Sequence, residues 1–561
     1  MTTPADLVLT GGEVHTLTEP DAVHEAVAIR DGEIVRVDSD YEIQFLTGVE
    51  TTVIDCEGRV VLPGFVDAHT HLESQGQYLV HADLSAAEGV EDAIERLRAA
   101  PTAYDWIRGF GYDESEWPSG RYLTREDLDR VSEDRPVVAM RVDMHLASLN
   151  SVALDRVLAD MPPADVHRDE SGTPTGVVVE DATEAVWDAI EPDPDETREL
   201  VRAAIDHATA RGVTGVHEKV RHSHAPRIYR DLAADDDLDV RVRLDYWSHH
   251  LQAVLELGLA TNSGGDLVRV GGIKSFTDGS FGGRTAKLFE PYADAPAGAE
   301  PADVDTDGEL DDDHTEAEVN APHETDAVEQ NETSHEGSRG DDSGNRGQWV
   351  VDPPKLREIA ERADAAGLQL TVHAIGDEAI AETIDVFEDL EDPGASRHRI
   401  EHAELPHDDH VERMAEAGIV ASMQPNFLQW AGDGGLYDQR LGEERRRRTN
   451  RFRTMLDAGV PLAFGSDCMP LDPLLGVHHA VNAPDEAQRL TVTEALRAYT
   501  RGAAYAGFDE DRLGTIEPGK RADIVILEDS PWERPAEIED IAVYRTILDG
   551  RVVYDGGGIE A

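Results

Sequence analysis

The chain has 561 residues, and 116 acidic against 50 basic residues give it a formal net charge of −66. This charge excludes nucleic acid as an expected partner, because affinity for nucleic acid comes from cations that neutralise phosphates. The acidic excess and the presence of only five lysines among the basic residues indicate a halophilic protein, whose like charges are screened by salt. Two cysteines make no disulfide framework, and no signal sequence or long apolar segment is evident, so we predict a cytoplasmic protein that does not bind a membrane.

Short apolar segments at both ends of the chain predict one small β domain. In the N-terminal region two such segments flank Asp31-Gly32, and in the C-terminal region two flank Asp549-Gly550. Asp-Gly between apolar runs is typical of a hairpin turn. We predict that residues 1–61 and 510–561 together form a β-sandwich domain.

Between these ends, strand-like apolar runs alternate with helical patterns over residues 62–509. This alternation predicts an α/β fold with a parallel sheet, and about eight repeats over roughly 430 residues suit a (β/α)8 barrel (a TIM barrel). In such barrels the side chains that carry chemistry lie at the carboxyl ends of the strands.

Two segments depart from the alternation. Residues 73–135 contain no barrel-like strand, which predicts an elaboration after the first strand of the barrel. Residues 293–347 hold 18 acidic residues, two arginines and only four branched apolar residues. Such a segment cannot bury a core, so we predict a disordered acidic insertion at about 293–347.

A His-x-His pair marks the first predicted barrel strand. His69 and His71 share one face of that strand with Asp67, because alternate side chains of a strand point the same way. Two imidazoles on one face supply half of a first-row metal site. The chain has 23 histidines, so this pair alone is weak evidence, and the interpretation depends on partners further along the chain.

Four more polar residues each end a predicted apolar strand. The lysine among them has apolar neighbours in a chain that nearly lacks lysine. It is either a snorkelling or salt-bridged lysine, or one that burial keeps neutral, able to act as a base or to take up carbon dioxide as a carbamate. The four residues are Lys274, His373, His402 and Asp467.

With these motifs the chain resembles the amidohydrolase superfamily, and within it the YtcJ-like branch (amidohydrolase family 3). The resemblance covers nearly the whole chain outside the acidic segment. It implies a distorted (β/α)8 barrel joined to a small β-sandwich built from both termini. The motifs that carry it are residues 63–71, 273–280, 373–377, 399–403 and 464–467.

The resemblance also implies a metal centre. His69, His71 and Asp467 would hold one divalent ion. His373 and His402 would hold a second ion, with carboxylated Lys274 between the two. Zinc is the default for histidine-rich ligation, and manganese, iron and cobalt are alternatives.

The implied activity is hydrolysis of a non-peptide C–N bond in an amide, formamide or cyclic amide. A metal-bound hydroxide attacks the substrate, and Asp467 moves the proton to the leaving nitrogen. Two alternatives stay open at this point: a metal-dependent hydrolase of a lactone, ester or phosphoester, and a non-catalytic metal-binding relative. The expected partner is a small-molecule substrate, and a homodimer is left open.

Six further residues are candidate substrate contacts because they lie near predicted strand ends. A structural role is an equal alternative for each of them, and for two of them that role would be to hold the long loop after the Lys274 strand. The six are Arg141, His145, His217, Asp278, Arg284 and Gln424.

We predict that deleting residues 300–340 leaves kcat and KM nearly unchanged, because a solvated spacer contributes no group to the chemistry. Steady-state kinetics of the deletion variant and the full chain in molar salt would measure this. A large loss of kcat would show that the acidic segment takes part in the reaction.

Overall fold

The computed structural model describes residues 3–101, 103–142, 144–294 and 345–557. The predicted acidic insertion lies almost wholly outside these residues. Within the described ranges, no helix combines the length and the apolar character that crossing a membrane requires.

Seven short strands precede the barrel. β1, β4 and β7 are runs of buried, mostly aliphatic residues, and the Asp31-Gly32 turn has positive φ at both residues (52° and 75°), as a tight hairpin requires. The strands are β1 (Leu7–Thr10), β2 (Glu13–His15), β3 (Val23–His24), β4 (Ala26–Arg30), β5 (Glu33–Asp38), β6 (Thr52–Asp55) and β7 (Val60–Pro63).

The first barrel strand, β8 (Phe65–Thr70), leads into the helix Leu72–Val80, after which the chain leaves the barrel. A separate six-stranded sheet follows, in the order β13-β14-β12-β11-β10-β9. It extends beyond the predicted end of the elaboration at residue 135, because β11 pairs with β10 and not with a barrel strand. Its strands are β9 (Ala82–Asp83), β10 (Ile107–Tyr112), β11 (Val137–Arg141), β12 (Leu146–Leu149), β13 (Val166–Arg168) and β14 (Pro174–Val179).

Seven strands complete the barrel with β8, and all neighbours are parallel, in the order β21-β20-β19-β18-β17-β16-β15-β8. Where β21 and β8 meet, the Asp467 N–H donates to the His69 carbonyl oxygen at 2.9 Å and the Ser466 N–H to the Asp67 carboxylate at 2.9 Å. The barrel is therefore nearly closed, as predicted. The seven strands are β15 (Val213–Val220), β16 (Arg241–Trp247), β17 (Val268–Phe276), β18 (Gln369–Ala374), β19 (Arg399–His402), β20 (Val420–Met423) and β21 (Leu462–Phe464).

Helices cover the outside of the barrel and pack on the second sheet. Several begin where an aspartate caps the free N–H groups of the first turn; the Asp193 carboxylate, for example, accepts from the N–H groups of Asp195 and Glu196. The helices that accompany the barrel are Pro194–Thr209, Ala225–Ala234, Leu251–Glu256, Pro353–Asp364, Asp377–Glu388, Asp408–Ala417, Leu436–Leu441, Glu443–Arg446, Phe452–Ala458, Pro473–Val481, Val492–Arg497 and Ala503–Ala506. Those near the other sheets are Asp40–Ile43, Val90–Ala99, Arg125–Asp129, Ser151–Val157 and Asp181–Ala189.

Three C-terminal strands, β22 (Ile524–Leu527), β23 (Val543–Leu548) and β24 (Arg551–Asp555), return to the N-terminal ones. β22 pairs antiparallel with β7 and completes a sheet in the order β24-β23-β22-β7-β2-β3. The facing sheet has the order β5-β4-β1-β6, and Leu9 and Ile29 from it share one buried core with Ile524 and Ile526. Strands from both ends of the chain thus form the predicted sandwich.

A buried ion pair ties the sandwich to the barrel. Arg241, at the start of β16, donates from Nε and Nη2 to the Asp523 carboxylate at 2.6 and 3.0 Å. Its Nη2 also donates to Asp549 in the second predicted hairpin turn at 2.6 Å. Arg241 is buried, so these carboxylates carry much of its hydrogen bonding.

We predict that Asp523→Ala lowers the free energy of unfolding by about 3–5 kcal/mol, because removing one partner of a buried pair leaves an uncompensated charge. Urea unfolding at constant salt measures the change. Asp239→Ala is the matched control: Asp239 pairs with the exposed side chain of Arg551 at 2.7 Å, a contact worth roughly 0–1 kcal/mol. Equal losses of unfolding free energy in the two variants would show that the buried pair of Arg241 and Asp523 contributes no more than a surface ion pair.

Candidate metal centre

The residues predicted to bind metal come together at the carboxyl end of the barrel. They lie on or directly after four strands: β8, β17, β18 and β19, with Asp467 three residues after β21. The ligand atoms of His69, His402 and Asp467 all lie within 4.8 Å of one another. The complete set is His69, His71, Lys274, His373, His402 and Asp467.

Short distances connect the two halves of this set. The Asp467 carboxylate lies 3.3 Å from His71 Nε2 and 3.6 Å from His69 Nε2. The His402 ring lies 5.0 Å from that of His69 and 4.5 Å from that of His373, between centroids. His402 therefore stands between the pair on β8 and the histidine on β18.

Each of three histidines has one ring nitrogen engaged by a neighbour outside the set. His69 Nδ1 lies 2.6 Å from the Glu401 carboxylate, and His402 Nδ1 lies 2.7 Å from Gln424 Oε1. His373 uses Nε2 instead, 3.0 Å from the Gly279 carbonyl oxygen. Metal-binding histidines usually donate their second N–H in this way, which leaves the other nitrogen available as the ligand.

Lys274 is buried, and its Nζ has no hydrogen-bond partner among the described residues. The Nζ lies 4.6 Å from the centroid of the Phe276 ring. Burial lowers the pKa of Lys274 to about 7, although the nearby Glu401 carboxylate acts in the opposite direction. A large fraction of this amine is therefore neutral near neutral pH. This agrees with the interpretation of Lys274 as a lysine that burial keeps neutral.

Asp467 is ionised. Burial alone would raise the pKa of its carboxyl, but the facing His69 and His71 lower it to about 2. Its backbone has a φ of 56° and that of His402 a φ of 71°. Positive φ is uncommon for residues other than glycine and concentrates at functional sites, where the surrounding structure maintains it.

A buried ionic network lies directly beside these ligands. The Glu401 carboxylate contacts Arg399 Nη2 at 2.8 Å and Lys219 Nζ at 3.9 Å. Lys219 also donates to Asp245 at 2.5 Å, and Arg399 to the carbonyl oxygen of Ala68 at 2.7 Å. Together with His69, these cations hold the pKa of Glu401 well below its usual value despite burial, so Glu401 stays charged.

No role was predicted for these network residues from the sequence. Two signals were present: Glu401 lies two residues after Arg399, which puts both on one face of the strand, and Lys219 is one of only five lysines. Lys219, like Lys274, could have been identified by the scarcity of lysine in this chain.

Three of the six candidate substrate contacts lie inside the barrel or at its rim. Gln424 orients His402, as described above. His217 is buried and contacts Arg399 through Nδ1 at 2.7 Å. The Asp278 carboxylate accepts from the N–H groups of Lys287 and Gly376 at 2.8 Å and of Ile375 at 3.0 Å, which holds the loop after β17 against the loop after β18.

The other three candidates contact residues outside the ligand set. Arg284 donates to Asp294 at 2.7 Å on the surface. Arg141 ends β11 in the second sheet and donates to Glu114 at 2.8 Å. The side chain of His145 is 65% exposed and lies 3.5 Å from Glu180. These contacts do not test a substrate role, so a substrate contact from the three residues stays a prediction.

A parallel barrel with histidines, a buried lysine and an aspartate at the carboxyl ends of its strands is the arrangement expected of a metal-dependent hydrolase. Residues 52–554 match the sequence profile of the amidohydrolase family, and the chain belongs to that family. It is 30% identical to the protein YtcJ of Bacillus subtilis over 97% of this chain and 98% of that protein.

Two further similarities cover nearly the whole chain. The chain is 27% identical to an N-substituted formamide deformylase of Arthrobacter pascens over 100% of both chains. Among solved structures, a metal-dependent hydrolase of Pyrococcus furiosus superposes with a TM-score of 0.74 at 30% identity, over 94% of this chain and 99% of that one. Fold and family therefore agree.

We predict that Glu401→Gln weakens Zn²⁺ binding about 10–100-fold, the usual effect of losing a charged partner of a metal-binding histidine. Competition with a chromophoric chelator measures the affinity. Asp364→Asn is the matched control, because Asp364 pairs with the buried His398 at 3.1 Å, outside the ligand set. Unchanged affinity in Glu401→Gln would show that His69 does not depend on this carboxylate.

Proposed function

We propose that this chain hydrolyses a non-peptide C–N bond of a small molecule, an amide, formamide or cyclic amide, in a metal-dependent reaction. The observation that carries the proposal is the convergence of four histidines, a lysine and an aspartate at one end of the barrel. The names of relatives add support: a formamide deformylase aligned over its whole length, and an imidazolonepropionase of Rhizorhabdus wittichii 33% identical over 34% of this chain.

The residues present fit divalent ions. The donor set is rich in imidazole, which suits zinc, and adds one ionised carboxylate. Lys274 Nζ is buried without a partner among the described residues, which is costly for an amine unless another group satisfies it. In the proposed assignment His69, His71 and Asp467 would hold one ion and His373 and His402 a second, and Lys274 as its carbamate would supply a further anionic ligand.

The metal ions, when bound, would polarise the substrate carbonyl and lower the pKa of water to about 7. The carbamate would form when the lone pair of neutral Lys274 Nζ attacks the carbon of carbon dioxide and the nitrogen releases one proton to solvent, which leaves an anion with two oxygens. Asp467 is ionised at neutral pH, so it accepts the proton of the attacking water and delivers it to the leaving nitrogen. Glu401 and Gln424 keep His69 and His402 in fixed orientations throughout.

A substrate panel tests the bond that is cleaved. Turnover would be measured in molar salt, with Zn²⁺, Mn²⁺ or Co²⁺ supplied, on amides, N-substituted formamides, cyclic amides, lactones, esters and phosphoesters. We expect turnover of the C–N compounds. Higher kcat/KM on a lactone or phosphoester than on every C–N compound would overturn the proposal, and so would tight metal binding with no turnover of any of them.

We predict that Lys274→Ala abolishes activity and lowers metal content, and that short carboxylic acids partly restore both, because a carboxylate can replace the carbamate anion. Metal analysis and activity with increasing acetate or propionate measure this. Lys355→Ala, which removes an exposed lysine, is the control and should not respond. Full activity of Lys274→Ala without added acid would refute the carbamate assignment.

A further inference from the structure

A second group of histidines, separate from the candidate metal centre, lies at the same end of the barrel. His222 follows β15, and His249 and His250 end the 3₁₀ turn Ser248–His250 directly after β16. One ring nitrogen from each lies within 4.8 Å of the corresponding nitrogens of the other two. We call these three residues the rim histidines.

The rim histidines have the spacing of ligands to a shared ion. The Nε2 atoms of His249 and His250 are 2.9 Å apart, within hydrogen-bond distance, and this separation is also close to the roughly 3.3 Å between two nitrogens bound about 2.0 Å from a tetrahedral zinc. The His222 ring stacks on that of His249 with centroids 4.4 Å apart. His249 Nδ1 is buried and has no hydrogen-bond partner among the described residues.

Neighbouring contacts hold both loops in place. In the loop after β15, Ser223 donates to the carboxylate of Glu73, in the helix that begins after His71. His250 Nε2 lies 2.6 Å from the Arg221 carbonyl oxygen and so joins this loop to the one after β16. An ion bound at His250 Nε2 would replace that hydrogen bond and keep the two loops joined.

Aromatic side chains separate the rim histidines from the candidate metal centre. The Trp247 ring lies 6.3 Å from that of His249 and 4.6 Å from that of Phe276, between centroids. The Phe276 ring in turn stacks on His373 at 4.9 Å. The two histidine groups are therefore neighbours with an apolar layer between them, and they share no residue.

We propose that His222, His249 and His250 bind one divalent transition-metal ion such as Zn²⁺, in addition to the ions of the central site. Imidazole is a preferred ligand of zinc, nickel and copper, and three histidines leave one coordination position open to water or a ligand. His222 is exposed, so an ion can enter from solvent.

Binding of Co²⁺ to the full chain in molar salt tests the site, because Co²⁺ can be counted by equilibrium dialysis and its coordination followed by visible absorbance. We expect the double variant His222→Ala/His249→Ala to bind one equivalent fewer than the unaltered chain. His224→Ala, which removes an exposed histidine of the same loop, is the matched control and should bind the full number.

The single variant His222→Ala guards against misfolding of the double variant, since His222 is exposed. It should bind one equivalent at least about tenfold more weakly, because a lost ligand weakens binding no less than a lost outer partner does. The complementary variant His69→Ala/His71→Ala should lose Co²⁺ from the candidate metal centre and retain the Co²⁺ bound by the rim histidines. Equal Co²⁺ stoichiometry and affinity in His222→Ala and the control would overturn the proposal.

Discussion

The buried carboxylate of Glu401 is the group around which the charged residues of the candidate metal centre are arranged. It receives His69, Arg399 and Lys219 inside the barrel. Burying one unpaired charge there would cost several kcal/mol, whereas paired and hydrogen-bonded charges are tolerated. Each member of the network therefore requires the others, and a change at one of them releases a charge next to His69. The ion pairs of Glu401 with Arg399 and Lys219 therefore help to position His69, in addition to the strand that carries it.

Barrel closure uses the same few residues. The Asp67 carboxylate shares one strand face with His69 and accepts the Ser466 N–H across the gap between β8 and β21. Asp467 adds a backbone hydrogen bond to His69. The seam that closes the barrel is thus also the place where an aspartate meets two histidines, so barrel closure brings these three side chains together. Glycine is required at position 465, since a Cβ there would lie 2.5 Å from the backbone nitrogen of His69.

The barrel and the candidate ligand set could be predicted from the sequence because of the way parallel strands are arranged. Parallel strands bring their carboxyl ends to one rim, so polar residues that end apolar runs, from His69 to Asp467, must meet there. Periodicity does not say which strands pair, so it cannot show that Val137–Arg141 belongs to the second sheet and not to the barrel. The partners of individual side chains are harder to predict than the strands. Arg284 follows the Lys274 strand in sequence, yet its side chain pairs with Asp294 at the surface, because the geometry of the loop decides the direction of the side chain.

Charges inside and outside the barrel respond differently to salt. The surface carries most of a net charge of −66, and its repulsion weakens as the Debye length falls to about 3 Å near 1 M salt. The pairs between Glu401, Arg399 and Lys219 are buried, where ions and water do not enter, and salt hardly screens them. High salt therefore relieves repulsion at the surface without loosening the network that orients His69. At low salt the surface repulsion opposes folding while the network is unchanged, so the chain should lose stability before the geometry of its metal centre changes.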